Sequence, residues 1–468
     1  MKEEEIGQVT ENESLMMLER AHVRHMRRIR NQIIAYSVVV LLLGAAVFGT
    51  YIGSVRLIGV IAERRVAAEM AAEAEAAEMA EETETEDTEE TILLSEPETL
   101  ETPETVEEEI PQASDEELLE DLISEVIAGM PLKDKVAGMF IATPEQFTDV
   151  DVAIKAGDGT EEALQNTAIG GLVYSGKNIK TEDQIREMLS KTKDMSKYPI
   201  FLATMESGGE NSGLTEALSL EPVYPPAILA ENGETEAAYE VGAELAKRMV
   251  DVGFTVNLAP CANLTTEAMS DEERELSFGS DPAVASALLA AQIRGLEENG
   301  VHSTVRMFPA SAVRSGDSNI PMTKESVQSL QENEFKMFAS AIEAGTKIIM
   351  VGNLAAPEIV GDNTPCTMSS IIITDQLRGA LGFTGVVVTD AMDDPVITDY
   401  YTSDQAAIAA IKAGADMIYR PENLEEALNG VVDAVNSGSL TEDRINESLM
   451  RIFRVKYAGR IETSISAN

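Results

Sequence analysis

The chain has 468 residues, with 82 acidic and 35 basic side chains, a formal net charge of −47, 44% hydrophobic residues and no Trp. This is enough apolar material for one large domain plus extensions, and the acidity excludes nucleic acid as a partner, because phosphate recognition needs clustered Lys and Arg. The two cysteines, Cys261 and Cys366, have no C-x-x-C spacing. They exclude a zinc framework or a multi-disulfide scaffold and read as buried thiols, with room for one bridge in an exported domain.

Residues 1–32 form a short tail. Its first part is acidic, and it ends in a cluster of Arg20, Arg24, Arg27, Arg28 and Arg30. Residues 33–55 contain no charged side chain. That run is long enough for a transmembrane helix, which needs about 20 residues. The arginines before it place the N-terminus in the cytoplasm and the rest of the chain outside. A cleaved signal peptide fits less well, because its charged leader would be too long and no A-x-A site follows.

Residues 56–115 read as an acidic stalk. From Val66 to Leu132 there is no Lys or Arg. The Ala/Glu part, to about Ala80, continues the membrane helix. The Thr/Glu/Pro part after it is expected to be extended and self-repelling, with Pro97, Pro103 and Pro111 preventing regular structure.

From residue 116 to 468 the pattern is globular. Short apolar runs predict strands at Ala137–Ile141, Ile169–Tyr174, Ile200–Thr204, Thr255–Leu258, Ser303–Phe308, Lys347–Val351, Val386–Thr389 and Asp416–Tyr419. Amphipathic segments between them predict helices, among them Glu182–Lys193, Glu234–Val250, Pro282–Asn299 and Lys324–Ala344. Eight β/α units are the count of a closed α/β (β/α)8 TIM-type barrel. An open doubly wound sheet is the alternative, but no G-x-G-x-x-G follows any strand, so a dinucleotide cofactor has no support. No other cofactor and no metal site is predicted.

In such a barrel the chemistry lies on the loops after the strand C-termini. The positions to inspect are Glu206, Asn263, Phe308–Asn319, Asn353 and Asp390. Asp390 ends an apolar strand, where a carboxylate can attack an anomeric carbon or cap the following helix. Arg306, near the end of the fifth strand, can hold a hydroxyl or an anion, or pair with a barrel carboxylate.

Several segments in order carry a resemblance. LKDKVAGMFIATPEQ, GGLVYSGKNIKTEDQIREM, LSFGSDPAVASALLAAQIRGLEENGV, GALGFTGVVVTDAM and SGSLTEDRINESLMRIFRVKY resemble the N-terminal barrel of glycoside hydrolase family 3, in its β-N-acetylhexosaminidase branch. The resemblance runs from about Glu117 to Ile461. It implies a retaining glycosidase whose nucleophile is Asp390. In that branch the acid/base is a His in a D-S-H triplet, and the family pattern K-H-F-P-G-H-G-x-x-x-x-D-S-H aligns with Arg306 to Asn319. Asp317 and Ser318 keep the triplet's first two residues, but the catalytic His is Asn319. The Lys-His pair is Arg306 and Met307. The family's D-[QE]-E-G-G is Met205, Glu206, Ser207, Gly208 and Gly209. An Arg becomes Leu276, and an Asp becomes Asn263.

An amide has no proton to give near neutral pH, and loss of a general acid/base lowers a rate by ~10²–10⁴-fold. Glu206, Asp317, Asp393 and Asp394 are the candidate surrogates. His22 and His25 precede the predicted membrane span, and His302 begins the fifth strand, at the wrong end. The expectation is a membrane-anchored extracytoplasmic protein with a catalytically impaired site. Its substrate-binding residues are Arg306, Met307, Glu206 and Asn263, and its partner is cell-wall glycan, a muropeptide or an envelope protein. An active retaining hydrolase with a non-His acid/base and a cell-surface protein scaffold stay open as alternatives.

Overall fold

The computed structural model describes residues 115–210, 212–267, 269–311 and 320–465. The expected tail, membrane helix and stalk, together with Asp317 and Asn319, lie outside the described residues. Among those described, no helix is long and apolar enough to cross a membrane.

Eight parallel strands form the sheet. They are β1 (Phe140–Ala142), β2 (Gly171–Val173), β3 (Phe201–Thr204), β4 (Val256–Asn257), β5 (His302–Phe308), β6 (Ile348–Val351), β7 (Val386–Thr389) and β8 (Ile418–Tyr419). Neighbours in sequence are neighbours in space, and β1 also pairs with β8 through Phe140 and Ile418. A bridge between Val388 and Met417 joins β7 to β8 and completes the ring. All eight predicted strands are present, each within a few residues of its expected bounds, and the barrel replaces the open sheet. β1, β2, β3, β6 and β7 are buried along their whole length. That explains their unbroken apolar sequences, because a parallel barrel strand is covered on both faces.

Three of the expected helices also stand, at Glu182–Met195, Thr235–Val252 and Pro282–Glu298. The last two cross with backbones in contact. A Cβ on Gly242 would lie 2.2 Å from the Gln292 carbonyl oxygen, and one on Gly295 would lie 2.2 Å from that of Tyr239, so only glycine fits either place. The fourth differs from expectation. Lys324–Ala344 is two helices, Val327–Glu332 and Glu334–Glu343, because Asn333 adopts non-helical φ −125°, ψ −95° between them.

The bottom of the barrel is closed by the last helix, Glu442–Ile465, here the floor helix. Its Leu449, Ile452 and Phe453 are buried beneath the strands. It is fastened at Asp416, which is fully buried just before β8. One Asp416 oxygen accepts from Arg451 Nη1 (2.9 Å) and Ser448 Oγ (2.7 Å), and the other from Arg378 Nη2 (2.5 Å) and the Val387 N–H (2.9 Å). Arg444 stands 3.8 Å from the same carboxylate. The lead helix, Asp115–Gly129, packs outside the floor helix and pairs Glu120 with Arg454.

Candidate active site

The strand C-termini form a mouth at the opposite end. Asp390 follows β7 directly, and its backbone N–H donates to the Val351 carbonyl at 2.8 Å, fixing it beside the end of β6. One carboxylate oxygen accepts the Ala391 N–H at 2.8 Å and the other the Asn353 N–H at 3.5 Å. Asn353 itself bridges the loops after β6 and β7. Its amide donates to the Ala391 carbonyl (2.6 Å), and its oxygen accepts from Thr367 (3.0 Å). Burial pushes the Asp390 carboxyl above its ordinary range. The Ala391 and Asn353 N–H groups and the Arg306 charge work against that rise, and Asp394 adds to it.

Arg306 lies where β5 is irregular, with a register shift against β6 between Val305 and Phe308. The Arg306–Met307 and Phe308–Pro309 peptide bonds are cis. The loop after β4 holds the residue in place. Its N–H donates to the Pro260 carbonyl (3.1 Å), and its carbonyl accepts from the Ala262 N–H (2.5 Å). The guanidinium extends across the mouth, where Nη2 meets Met205 Sδ at 3.2 Å. It acts electrostatically on Asp390 and Tyr419. Its Nε is buried and has no hydrogen-bond partner among the described residues, and neither has Oδ1 of Asn263. Met307 packs on Gly352 after β6.

The expected residues therefore divide. Arg306, Met205 and Asp390 meet at the mouth. Glu206 is adjacent in sequence but faces elsewhere. It is 1% exposed, and its carboxylate accepts the Leu214 N–H and, at 3.1 Å, the Thr215 hydroxyl. Both partners lie in the first turn of the helix Gly213–Leu218, where a carboxylate suits the unpaired N–H groups. Gly208 and Gly209, at φ +86° and +80°, turn the chain between β3 and this helix.

Of the other candidate surrogate acids, Asp317 lies outside the described residues and the remaining two are engaged. Asp394 caps the helix Pro395–Thr398 by accepting the Val396 N–H at 2.8 Å. Asp393 accepts from Arg420 Nε at 3.0 Å. His302 begins β5, far from the mouth, with Nδ1 3.0 Å from Glu297. Cys261 and Cys366 are both buried and free, without a bridge.

Two mouth residues escaped the sequence reading. Tyr419 ends β8, and its phenol is pushed above the ordinary range by burial, with Asp393 and Asp390 adding to the rise and Arg420 opposing it. Arg420 follows it at φ +48° and holds Asp393. The signal was positional: both stand at the C-terminal end of a barrel strand.

The model of the Glycosyl hydrolase family 3 N terminal domain matches residues 133–455. A β-hexosaminidase A from Pseudoalteromonas piscicida is 25% identical over 332 residues, covering 63% of this chain and 54% of its own length. This chain thus spans about half of that relative. A β-hexosaminidase from Chromobacterium violaceum is 27% identical over 287 residues, covering 59% and 79%. Among solved structures, a family 3 β-N-acetylglucosaminidase from Paenibacillus sp. superposes with a TM-score of 0.64 at 25% identity, covering 70% of this chain and 62% of that one.

Proposed function

This chain belongs to the glycosyl hydrolase family 3 N-terminal domain family, and from that premise we propose that it is a β-hexosaminidase-like glycan-binding protein of the cell envelope whose hydrolytic step is impaired. The proposal places the barrel outside the membrane, held by the apolar segment at residues 33–55. The single observation behind impairment is the engagement of the carboxylates around Asp390. Glu206 clamps a helix, Asp394 caps one and Asp393 pairs with Arg420. None of these three is left as a free general acid opposite Asp390, Asp317 lies outside the described residues, and the position that the resemblance aligns with the acid/base is Asn319. Retaining hydrolysis needs a nucleophile and a proton donor, and among the described residues only the nucleophile has a candidate.

Binding is supported by what the mouth still offers. The Arg306 Nε and the Asn263 Oδ1 are buried polar atoms without partners among the described residues. Such atoms are costly to leave bare, and sugar hydroxyls both donate and accept.

The test is to incubate the full chain with an aryl N-acetyl-β-glucosaminide and, separately, with muropeptides. The proposal expects turnover near the uncatalysed background and a muropeptide-dependent rise in melting temperature, because a ligand that binds only the folded state stabilises it. Turnover that vanishes in Asp390→Asn would establish an active hydrolase instead. No thermal shift across the glycan panel would favour a protein partner.

A further inference from the structure

We propose that the opposite end of the barrel carries a second ligand site, a cavity in which Lys193 and Lys456 bind a phosphate-bearing small molecule. The cavity measures about 370 Å³ and lies between the floor helix and the N-terminal ends of β3, β4 and β5. Ile200, Phe201 and Val455 give it apolar walls, and Lys193, Lys197 and Lys456 give it charge.

In a chain with 82 acidic side chains, the pairing of these lysines is informative. Lys197 is paired with Asp134. Lys193 and Lys456 have no carboxylate within ion-pair distance among the described residues. Lys456 Nζ sits instead over the rings of Phe201 (4.8 Å) and Phe453 (5.6 Å). These contacts favour a cation, yet burial dominates and pulls the ammonium down to about 7. Two lysines without counter-charge match one dianion, and a phosphate monoester carries a charge of about −1.5 to −2 near neutral pH. Separate ammonium groups act as point charges, whereas a carboxylate is better matched by the planar fork of Arg. The aromatic wall suits an apolar or ring substituent on the phosphate.

Other charged and titratable groups around Lys456 bear on its protonation. Tyr198 and the Lys197–Asp134 pair stand on the β3 side, the His302–Glu297 pair on the β5 side, and Arg454 with Glu120 and Tyr457 along the floor helix. Lys197 is paired with Asp134 and His302 lies against Glu297, so an arriving dianion interacts chiefly with Lys193 and Lys456. It would raise the affinity of Lys456 for its proton, and binding would take up protons.

Isothermal titration of the full chain with inorganic phosphate and with phenyl phosphate tests this. Phenyl phosphate should bind more tightly than inorganic phosphate. Lys193→Gln, an exposed side chain whose change leaves the core intact, and Lys456→Met, which keeps the contact with Phe201, should each weaken binding about tenfold. Affinity for phenyl phosphate should fall as the pH rises from about 7.5 to 9, where its charge is nearly constant and the free Lys456, increasingly unprotonated, must take up a proton to bind it, and this fall should be absent in Lys456→Met. Asp390→Asn, at the other end, should change nothing. The proposal is overturned if neither probe binds at up to about 10 mM, or if binding survives Lys193→Gln unchanged.

Discussion

The Glu206 carboxylate accepts the backbone N–H of Leu214, so the acid that follows β3 holds the start of a helix and does not face the mouth. Glu206→Ala removes that acceptor and the one for Thr215 from a buried place, and should lower unfolding free energy by about 2–3 kcal/mol. Glu206→Gln keeps an acceptor for Leu214 and should lie within about 1 kcal/mol of the wild type. Denaturant melts of both variants check this. A substrate-binding Glu206 would give the opposite pattern, with ligand affinity lost in Gln at unchanged stability.

Asp390 is a carboxylate kept at an energetic disadvantage. Its folded pKa is raised, so the native state holds this proton more tightly than the unfolded chain does. Its contribution to stability therefore declines as the pH rises from the ordinary carboxyl range through the folded value. Asp390→Asn should be more stable than the wild type at neutral pH, by on the order of 1 kcal/mol, and the gap should close below about pH 4. Melting temperatures across pH measure it. An equal or lower stability at neutral pH would mean that the Ala391 and Arg306 interactions outweigh burial.

Position 319, an Asn where the resemblance implies a His proton donor, tests the proposed impairment. Asn319→His should raise hydrolysis of an aryl N-acetyl-β-glucosaminide by ~10²-fold or more over the wild type, if the surrounding residues still seat a sugar. No gain would place the deficit in the sugar grip, where the resemblance implies charged or ionisable residues at the positions of Met205, Met307 and Asn263.

Asp416 is matched by three arginines on the floor side. Asp416→Asn leaves them repelling one another around an amide, and should lower stability by about 3–5 kcal/mol. The weakened contact is local, so limited proteolysis should cut first within the floor helix. Cleavage elsewhere first would show that the helix is held mainly by Leu449, Ile452 and Phe453.

The barrel was legible because its strands are short, apolar and regularly spaced. VVVT in β7 and IIMV in β6 can be buried on both faces only in a covered parallel sheet. The helix break at Asn333 was not legible, because its neighbours keep helical periodicity on both sides. In the site, Asp390 and Arg306 were placed by strand position and alignment together. The direction of Glu206 was hidden, since adjacent residues after a strand can face opposite ways, and only the packing of Gly213–Leu218 decides between them. Arg420 was hidden for a related reason: its hold on Asp393 joins the loops of two strands that pair only through the ring closure.

The ring closes between parts of the chain made far apart in time. β1 is among the first barrel segments to be synthesised, and its partner β8 and the floor helix are among the last. Until then Phe140 and the underside of β3 lack their covering. Such long-range pairing is slow and leaves apolar surface bare, so a nascent chain stalled before residue 416 would be a substrate for chaperones or proteases rather than a smaller working protein.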